Sequence, residues 1–229
     1  MAQLRQYHDA LLAHYGPPKW WPGDSPFEVM VGAILAQNTA WKNVEKAIAN
    51  LKTYDLLDAG KIRELDQDTL ALAIKPAGTY NLKAARLKGF VDWLFARFDG
   101  DLGKMKQVPP HRLREELLDV KGIGPETADA ILLYSAGRPV FVADAYARRV
   151  LARHRLISPR ATYEEARAWL EAHLPSDPLL FNEFHALLVA VGKSYCRTTP
   201  RCEECPLRPD LRGRRPVGAR GFRRRATTR

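Results

Sequence analysis

Only three cysteines occur in 229 residues, and all three lie between positions 196 and 205. That scarcity excludes a secreted scaffold stapled by disulfides, which needs paired cysteines spread along the chain. No apolar run approaches the roughly 20 residues needed to cross a bilayer. The opening residues, Met1 to Gln6, lack the basic-then-apolar pattern of a secretory leader. These absences point to a cytoplasmic protein. Sustained apolar/polar alternation, the mark of half-buried strands, is also missing, as is any repeat of solenoid period. Lysine is absent from position 208 onward, where nine arginines stand against a single acid, Asp210. Those ten residues carry +8 of the formal net charge of +10, so residues 1–207 are nearly neutral. The arginine-rich tail, 208–229, has few apolar residues. It is expected to be unstructured and to touch phosphates without regard to sequence.

What the chain does have is helical periodicity almost throughout. The expected helices span residues 2–15 and, opened by Ser25-Pro26, Phe27 to Gln37. Thr39 is expected to cap a third, with Trp41, Val44, Ile48 and Leu51 along one face. Further helices start at Asp66 or Asp68 and run through Ile74, and lie between Asn81 and Phe98. Others follow Pro109-Pro110, open at Pro125, and run from the capping box at Thr162–Glu165 to His173. The last spans about Leu179 to Gly192. The fold class is therefore all-α.

The most informative stretch is 113–149. Lys121-Gly122-Ile123-Gly124 is a hairpin too tight for most side chains, because glycine admits positive φ and a close backbone approach. Pro125 suits the first turn of the following helix, with Glu126 beside it. The free N–H groups at that helix start suit a phosphate oxygen and grip a nucleic-acid backbone without reading bases. About twenty residues on, Asp144 follows the apolar run Val140–Ala143 and should cap the next helix, Ala145–Val150.

The pattern Leu118 to Ala128, with Asp144 downstream, resembles the helix-hairpin-helix DNA glycosylases of the endonuclease III superfamily. The likeness runs from roughly Trp20 to Cys205. Trp20-Trp21-Pro22, Leu35-Ala36-Gln37-Asn38-Thr39 and Lys75-Pro76-Ala77-Gly78-Thr79-Tyr80-Asn81 are similar to the single-function 3-methyladenine branch. The resemblance implies a two-lobed fold with DNA in the cleft: a central lobe over 27–137, with the hairpin motif at about 113–136, and a second lobe from 1–26 plus 138–207. It implies that Asp144 is the catalytic carboxylate. Such an enzyme must rotate a base out of the duplex and hold it. Trp20, Trp21, Pro22 and Trp41 are then candidate pocket walls, since indole faces attract the cationic ring of an alkylated purine. Lys193 is a further pocket candidate. Gln37, with Asn38 beside it, matches the position that fills the emptied base stack, while Lys121, Gly122, Ile123 and Gly124 face DNA phosphates.

One position separates the branches. Two-function relatives carry a lysine two residues after the second hairpin glycine, whose amine attacks the sugar. Here the residue is Glu126, so base removal without strand cleavage is expected. Cys196, Cys202 and Cys205 resemble the iron–sulfur loop of endonuclease III, but the first spacing is one residue shorter and Leu211 takes the fourth cysteine's place. A [4Fe-4S] cluster normally needs four thiolates, and catalysis needs no cofactor. The expected function is hydrolytic removal of alkylated purines from double-stranded DNA in base excision repair by a monomer with no membrane attachment. The alternatives are a glycosylase for oxidised pyrimidines or mismatched thymine or uracil, and a catalytically silent DNA-binding protein.

Overall fold

A computed structural model of the chain describes residues 2–18, 20 and 23–218. Every regular element among the described residues is helical. The chain forms two compact units, Trp21–Arg138 and Met1–Trp20 with Pro139–Arg229.

In the first unit, the opening helix (α2 of the chain, after the N-terminal α1, Ala2–Tyr15) runs Pro26–Leu35. Every residue from Phe27 to Leu35 is buried, Glu28 included, and Ser25 caps the helix by accepting from the Glu28 N–H at 3.1 Å. Helix α3 (Trp41–Thr53) buries Val44, Ala47, Ile48 and Leu51. Its cap differs from expectation. Ala40 occupies the N-cap with no side-chain bond, and the Thr39 hydroxyl instead accepts from Asn43 Nδ2 at 3.3 Å. Two six-residue helices, α4 (Ala59–Glu64) and α7 (Leu102–Gln107), were not foreseen. They are too short to show an apolar stripe, and their sequence signals are the capping aspartates Asp58 and Asp101. Helix α5 (Gln67–Ala73) is capped by Asp66.

The long helix α6 (Tyr80–Phe98) buries the anticipated stripe of Leu87, Phe90, Val91, Leu94 and Phe98. It also buries Lys83, whose Nζ donates to the carbonyls of Leu35 (2.9 Å) and Ala77 (2.7 Å). A cation there satisfies acceptors left open at the end of α2 and in the 3-10 turn Lys75–Ala77. Burial, with the Arg86 charge adding to it, holds the Lys83 amine below the usual lysine range. Helices α8 (Pro110–Asp119) and α9 (Pro125–Ala130) flank the hairpin, and α9 passes into a π-helical turn, Ile131–Ser135. Arg114 of α8 grips the fully buried Asp129 of α9 through two N–H donors, at 2.6 and 3.1 Å. This forked pair fixes the two helices in register.

The second unit packs α12 (Pro178–Ser194) against α1 and α10 (Ala145–Arg153), with α11 (Tyr163–His173) opened by the expected capping box at Thr162 and Glu165. Leu4, Leu11, Val150, Leu151, Phe181, Phe184 and Leu188 are buried there. Each contributes about 1.5–3 kcal/mol of apolar burial. The start of the tail corrects the sequence reading. Arg208–Leu211 forms a 3-10 turn with Leu211 buried, and the Val217 N–H reaches the Arg153 carbonyl at 3.2 Å. An apolar side chain with a place to go, plus backbone acceptors on α10, orders residues that composition alone marked as free. The remaining arginines, from position 220 on, lie outside the described residues.

Candidate active site and hairpin

The hairpin owes its shape to Gly122, which has φ 90°, a region that L side chains avoid. A Cβ there would also lie 2.5 Å from Cγ of Arg86. Gly124 is different: its φ is −95° and nothing lies within 4 Å of its Cβ position. The Ile123 side chain is buried at 4% exposure and anchors the hairpin in the core, whereas Lys121 is exposed. The Ile123 N–H closes the turn onto the Val120 carbonyl at 2.9 Å. No side chain caps α9 at Gly124, so its first turn presents backbone donors. Glu126 is exposed in that turn.

Gln37 is held at both ends of its amide. Its Nε2 donates to the Gly122 carbonyl and to Thr127 Oγ1, each at 3.0 Å, while Arg86 donates to its Oε1. In this state Gln37 braces the hairpin, and entering a base stack would require giving up those bonds. Asn38 is exposed with φ 53°. Its left-handed backbone is what turns the chain between α2 and α3.

Asp144 sits at the N-cap of α10, where its Oδ1 accepts from the Ala147 N–H at 2.7 Å. The preceding Phe141, Val142 and Ala143 are buried, which carries the carboxylate inward until its side chain is only 13% exposed. His185 of α12, 4% exposed at its side chain, places Nε2 3.7 Å from the same oxygen. Burial pushes the Asp144 carboxyl up. The nearby His185 imidazole and the N–H groups of Ala147 and Tyr146 outweigh it and hold the group below the usual carboxylate range. Asp144 is thus a largely enclosed anion at neutral pH.

Trp20 joins this cluster, its ring meeting His185 edge-on at 5.6 Å. Trp41 begins α3 half-buried and stands apart from the fully buried stripe of Val44, Ile48 and Leu51. Trp21 and Pro22 lie outside the described residues. Lys193 is exposed at the end of α12, with Nζ 5.8 Å above the Tyr146 ring. The groups that set the charge state of Asp144 are His185 and the α10 backbone, not Lys193. Two members of the cluster were missed from sequence. His185 lies in an apolar run, FHALLVAVG, with nothing local to mark it. Tyr146 packs on Gly192, where a Cβ would come within 2.7 Å of its ring; a glycine near the end of a long helix was its only available signal.

The three cysteines line a cavity of about 10 Å³ with Arg153, His154 and Leu207, room for one water at most. Arg153 is 6% exposed and donates to Cys196 Sγ at 3.3 Å and to the carbonyls of Arg197 and Thr198. Asp210 accepts from Tyr7, from Gln3 at 2.8 Å and from His154 at 2.8 Å. Burial first, and the neighbouring thiols after it, push Cys205 up to about 11. Among the described residues no group of three His, Cys, Asp or Glu side chains is arranged to hold a metal. The loop does not fit a four-iron cluster: a guanidinium lies against one thiol, the fourth position is a buried leucine, and the neighbouring carboxylate is already engaged.

Comparison with known proteins agrees with this geometry. Residues 31–176 match the family described as HhH-GPD superfamily base excision DNA repair protein. The chain is 46% identical over 207 residues to MJ1434 of Methanocaldococcus jannaschii, whose name places it provisionally among DNA repair glycosylases. That match covers 90% of this chain and 94% of the relative. It is 29% identical to endonuclease III of Sulfolobus acidocaldarius, over 80% of this chain and 79% of that enzyme. Among solved structures it is similar to the H. pylori 3-methyladenine DNA glycosylase MagIII bound to 1,N6-ethenoadenine. The TM-score there is 0.70 with 31% identity, over 84% of this chain and 96% of the other. An endonuclease III–DNA complex shares the fold at a TM-score of 0.76 and 21% identity, over 90% and 92% of the two chains. The chain therefore belongs to the HhH-GPD superfamily of base excision repair proteins and is a DNA glycosylase of that superfamily.

Proposed function

We propose that this glycosylase is monofunctional, that it removes alkylated purines such as 3-methyladenine by hydrolysis, and that Asp144 is its catalytic carboxylate. The observation that carries this reading is the enclosed, ionised Asp144 carboxylate at the head of α10, with the Trp20 ring in the same cluster. As the C–N bond to the base breaks, positive charge gathers on the deoxyribose ring. A fixed anion in a dry pocket offsets that charge without reorganising. The same carboxylate orients a water toward C1′ and draws off its proton. An alkylated purine already carries ring charge and leaves readily as the neutral base. Recognition then needs flat, electron-rich walls more than a hydrogen-bond code, and the Trp20 ring beside His185 suits that task.

Glu126 supports the monofunctional reading, because a carboxylate cannot form the Schiff base that precedes β-elimination. The hairpin contributes backbone N–H groups for a phosphate. The 3-methyladenine glycosylase with 31% identity, solved with an ethenoadenine bound, supports the purine preference.

The test is release of free base from duplexes that each hold one lesion, comparing alkylpurines, oxidised pyrimidines and mismatched thymine or uracil. Release from the alkylpurine duplexes, with no borohydride-trapped adduct, is expected. Release confined to oxidised pyrimidines, or a trapped covalent adduct, overturns the reading.

A further inference from the structure

We propose that His185 is a positioning residue for Asp144, fixing the carboxylate through Oδ1 so that Oδ2 is the oxygen offered to sugar and water. This rests on the reading of Asp144 as the catalytic carboxylate.

The geometry divides the two oxygens. Oδ1 accepts the Ala147 N–H at 2.7 Å, and it is also the oxygen that faces His185 Nε2 at 3.7 Å. The cap holds the carboxyl through backbone N–H groups of its own helix, at Ala147 and Tyr146. A polar group from another helix facing the same oxygen adds an electrostatic restraint from outside α10. The His185 ring is packed between two aromatic rings, Trp20 meeting it edge-on at 5.6 Å and Phe141 at 6.3 Å. Its polarity is also protected from water, since its side chain is 4% exposed. Through Trp20, the same imidazole touches a candidate wall of the base pocket.

Other ionisable groups on the surrounding helices are committed elsewhere. On α1, His8 bonds Glu183 at 2.7 Å, and His14 lies 3.2 Å from the Tyr195 hydroxyl. On α11, Glu171 pairs with Arg167 and accepts the Phe141 N–H at 2.8 Å. On α10, Arg149 donates to the carbonyls of Gly192 and Cys196, and on α12 Lys193 stands over Tyr146. Also on α10, Arg153 donates to Cys196 Sγ and to the carbonyls of Arg197 and Thr198, and the Nε of Arg148 has no partner among the described residues. Among side chains, the His185 imidazole does most to lower the Asp144 carboxyl.

The experiment compares wild type with His185→Leu, which removes the polar atom, and His185→Gln, which returns an N–H near the Nε2 position. Two readouts are taken. One is the titration midpoint of the Asp144 carboxyl by carbon-13 NMR, and the other is the pH profile of single-turnover base release. In His185→Leu the midpoint and the acidic limb of the profile both move to higher pH. The maximal rate falls about tenfold or more, while affinity for lesion-containing DNA holds. His185→Gln returns both readouts most of the way. Unchanged midpoint and profile in a folded His185→Leu protein overturn the proposal. Should that variant not fold, His185→Asn, whose amide falls short of Asp144, takes its place with the same criteria. If wild type releases no base from any lesion, the functional reading fails, and the carboxyl titration alone still decides whether His185 governs Asp144.

Discussion

Helices α9 and α10 both begin at a residue suited to an N-cap, yet the two starts are built for opposite charges. At α9 the cap is Gly124, with no side chain, so the first-turn N–H groups stay available to an anion. At α10 the cap is Asp144, whose carboxylate consumes one of those donors and turns the helix start into a buried negative charge. One helix start leaves its backbone donors uncapped by any side chain. The other holds a largely enclosed carboxylate, the group proposed above to face the sugar. The single change from glycine to aspartate at the cap decides which, and the surroundings of each start reinforce it.

The sharpest way to break the α9 side of the comparison is Arg114→Ala. Asp129 is fully buried, so stripping its guanidinium should cost about 3–5 kcal/mol in denaturant unfolding. On the α10 side, Asp144→Asn should slow single-turnover base release about 10²–10³-fold. Asparagine caps a helix as well as aspartate does, so the melting temperature should barely move; a large drop would mean the carboxylate is chiefly structural. Gly122→Ala should destabilise by about 1–3 kcal/mol through its left-handed backbone and the approach to Arg86. Gly124→Ala, with open space and ordinary φ, should be neutral or stabilise by up to about 1 kcal/mol. Equal effects at the two glycines would refute the division of roles within the hairpin.

Two smaller effects concern the cysteine loop. Burial holds His154 below its ordinary 6.5, despite its bond to Asp210. The unfolded chain then takes up more protons as pH falls through about 6.5. The stability this group contributes is therefore present above that pH and lost below it. Melting temperature followed from pH 8 to 5 should decline in wild type and less in His154→Gln. Asp210 adds a loss of the same sign in more acidic solution: burial raises its carboxyl, but the bonds from Tyr7, His154 and Gln3 bring it below 3.8. Chelator should leave the melting temperature unchanged, because Arg153 and Asp210 hold the loop; a marked drop would restore a metal to it.

Much of this was legible in the chain. The apolar period gave the long helices, the capping box at Thr162 and the Asp66 cap gave two of the starts, and Gly122 and Asp144 gave the hairpin and the acid. The short helices α4 and α7 escaped because six residues span less than two turns, too few for a stripe to recur. Thr39 was misjudged because a cap is chosen by local backbone geometry, and Asn43 competed for its hydroxyl. Gln37 was read for its partner in DNA, whereas in this state it serves its own hairpin.

By itself, the order of apolar, capping and glycine residues determined an all-helical protein with a backbone-only hairpin and a capping acid, since those features act over one or two turns. Only tertiary structure decided that Asp144 is enclosed beside His185, forty-one positions along the chain, that Arg114 reaches Asp129, and that Arg153 lies against Cys196. Such pairings depend on which helix faces pack together, and the charge and reactivity of a buried group are set by those neighbours, not by its own residue type.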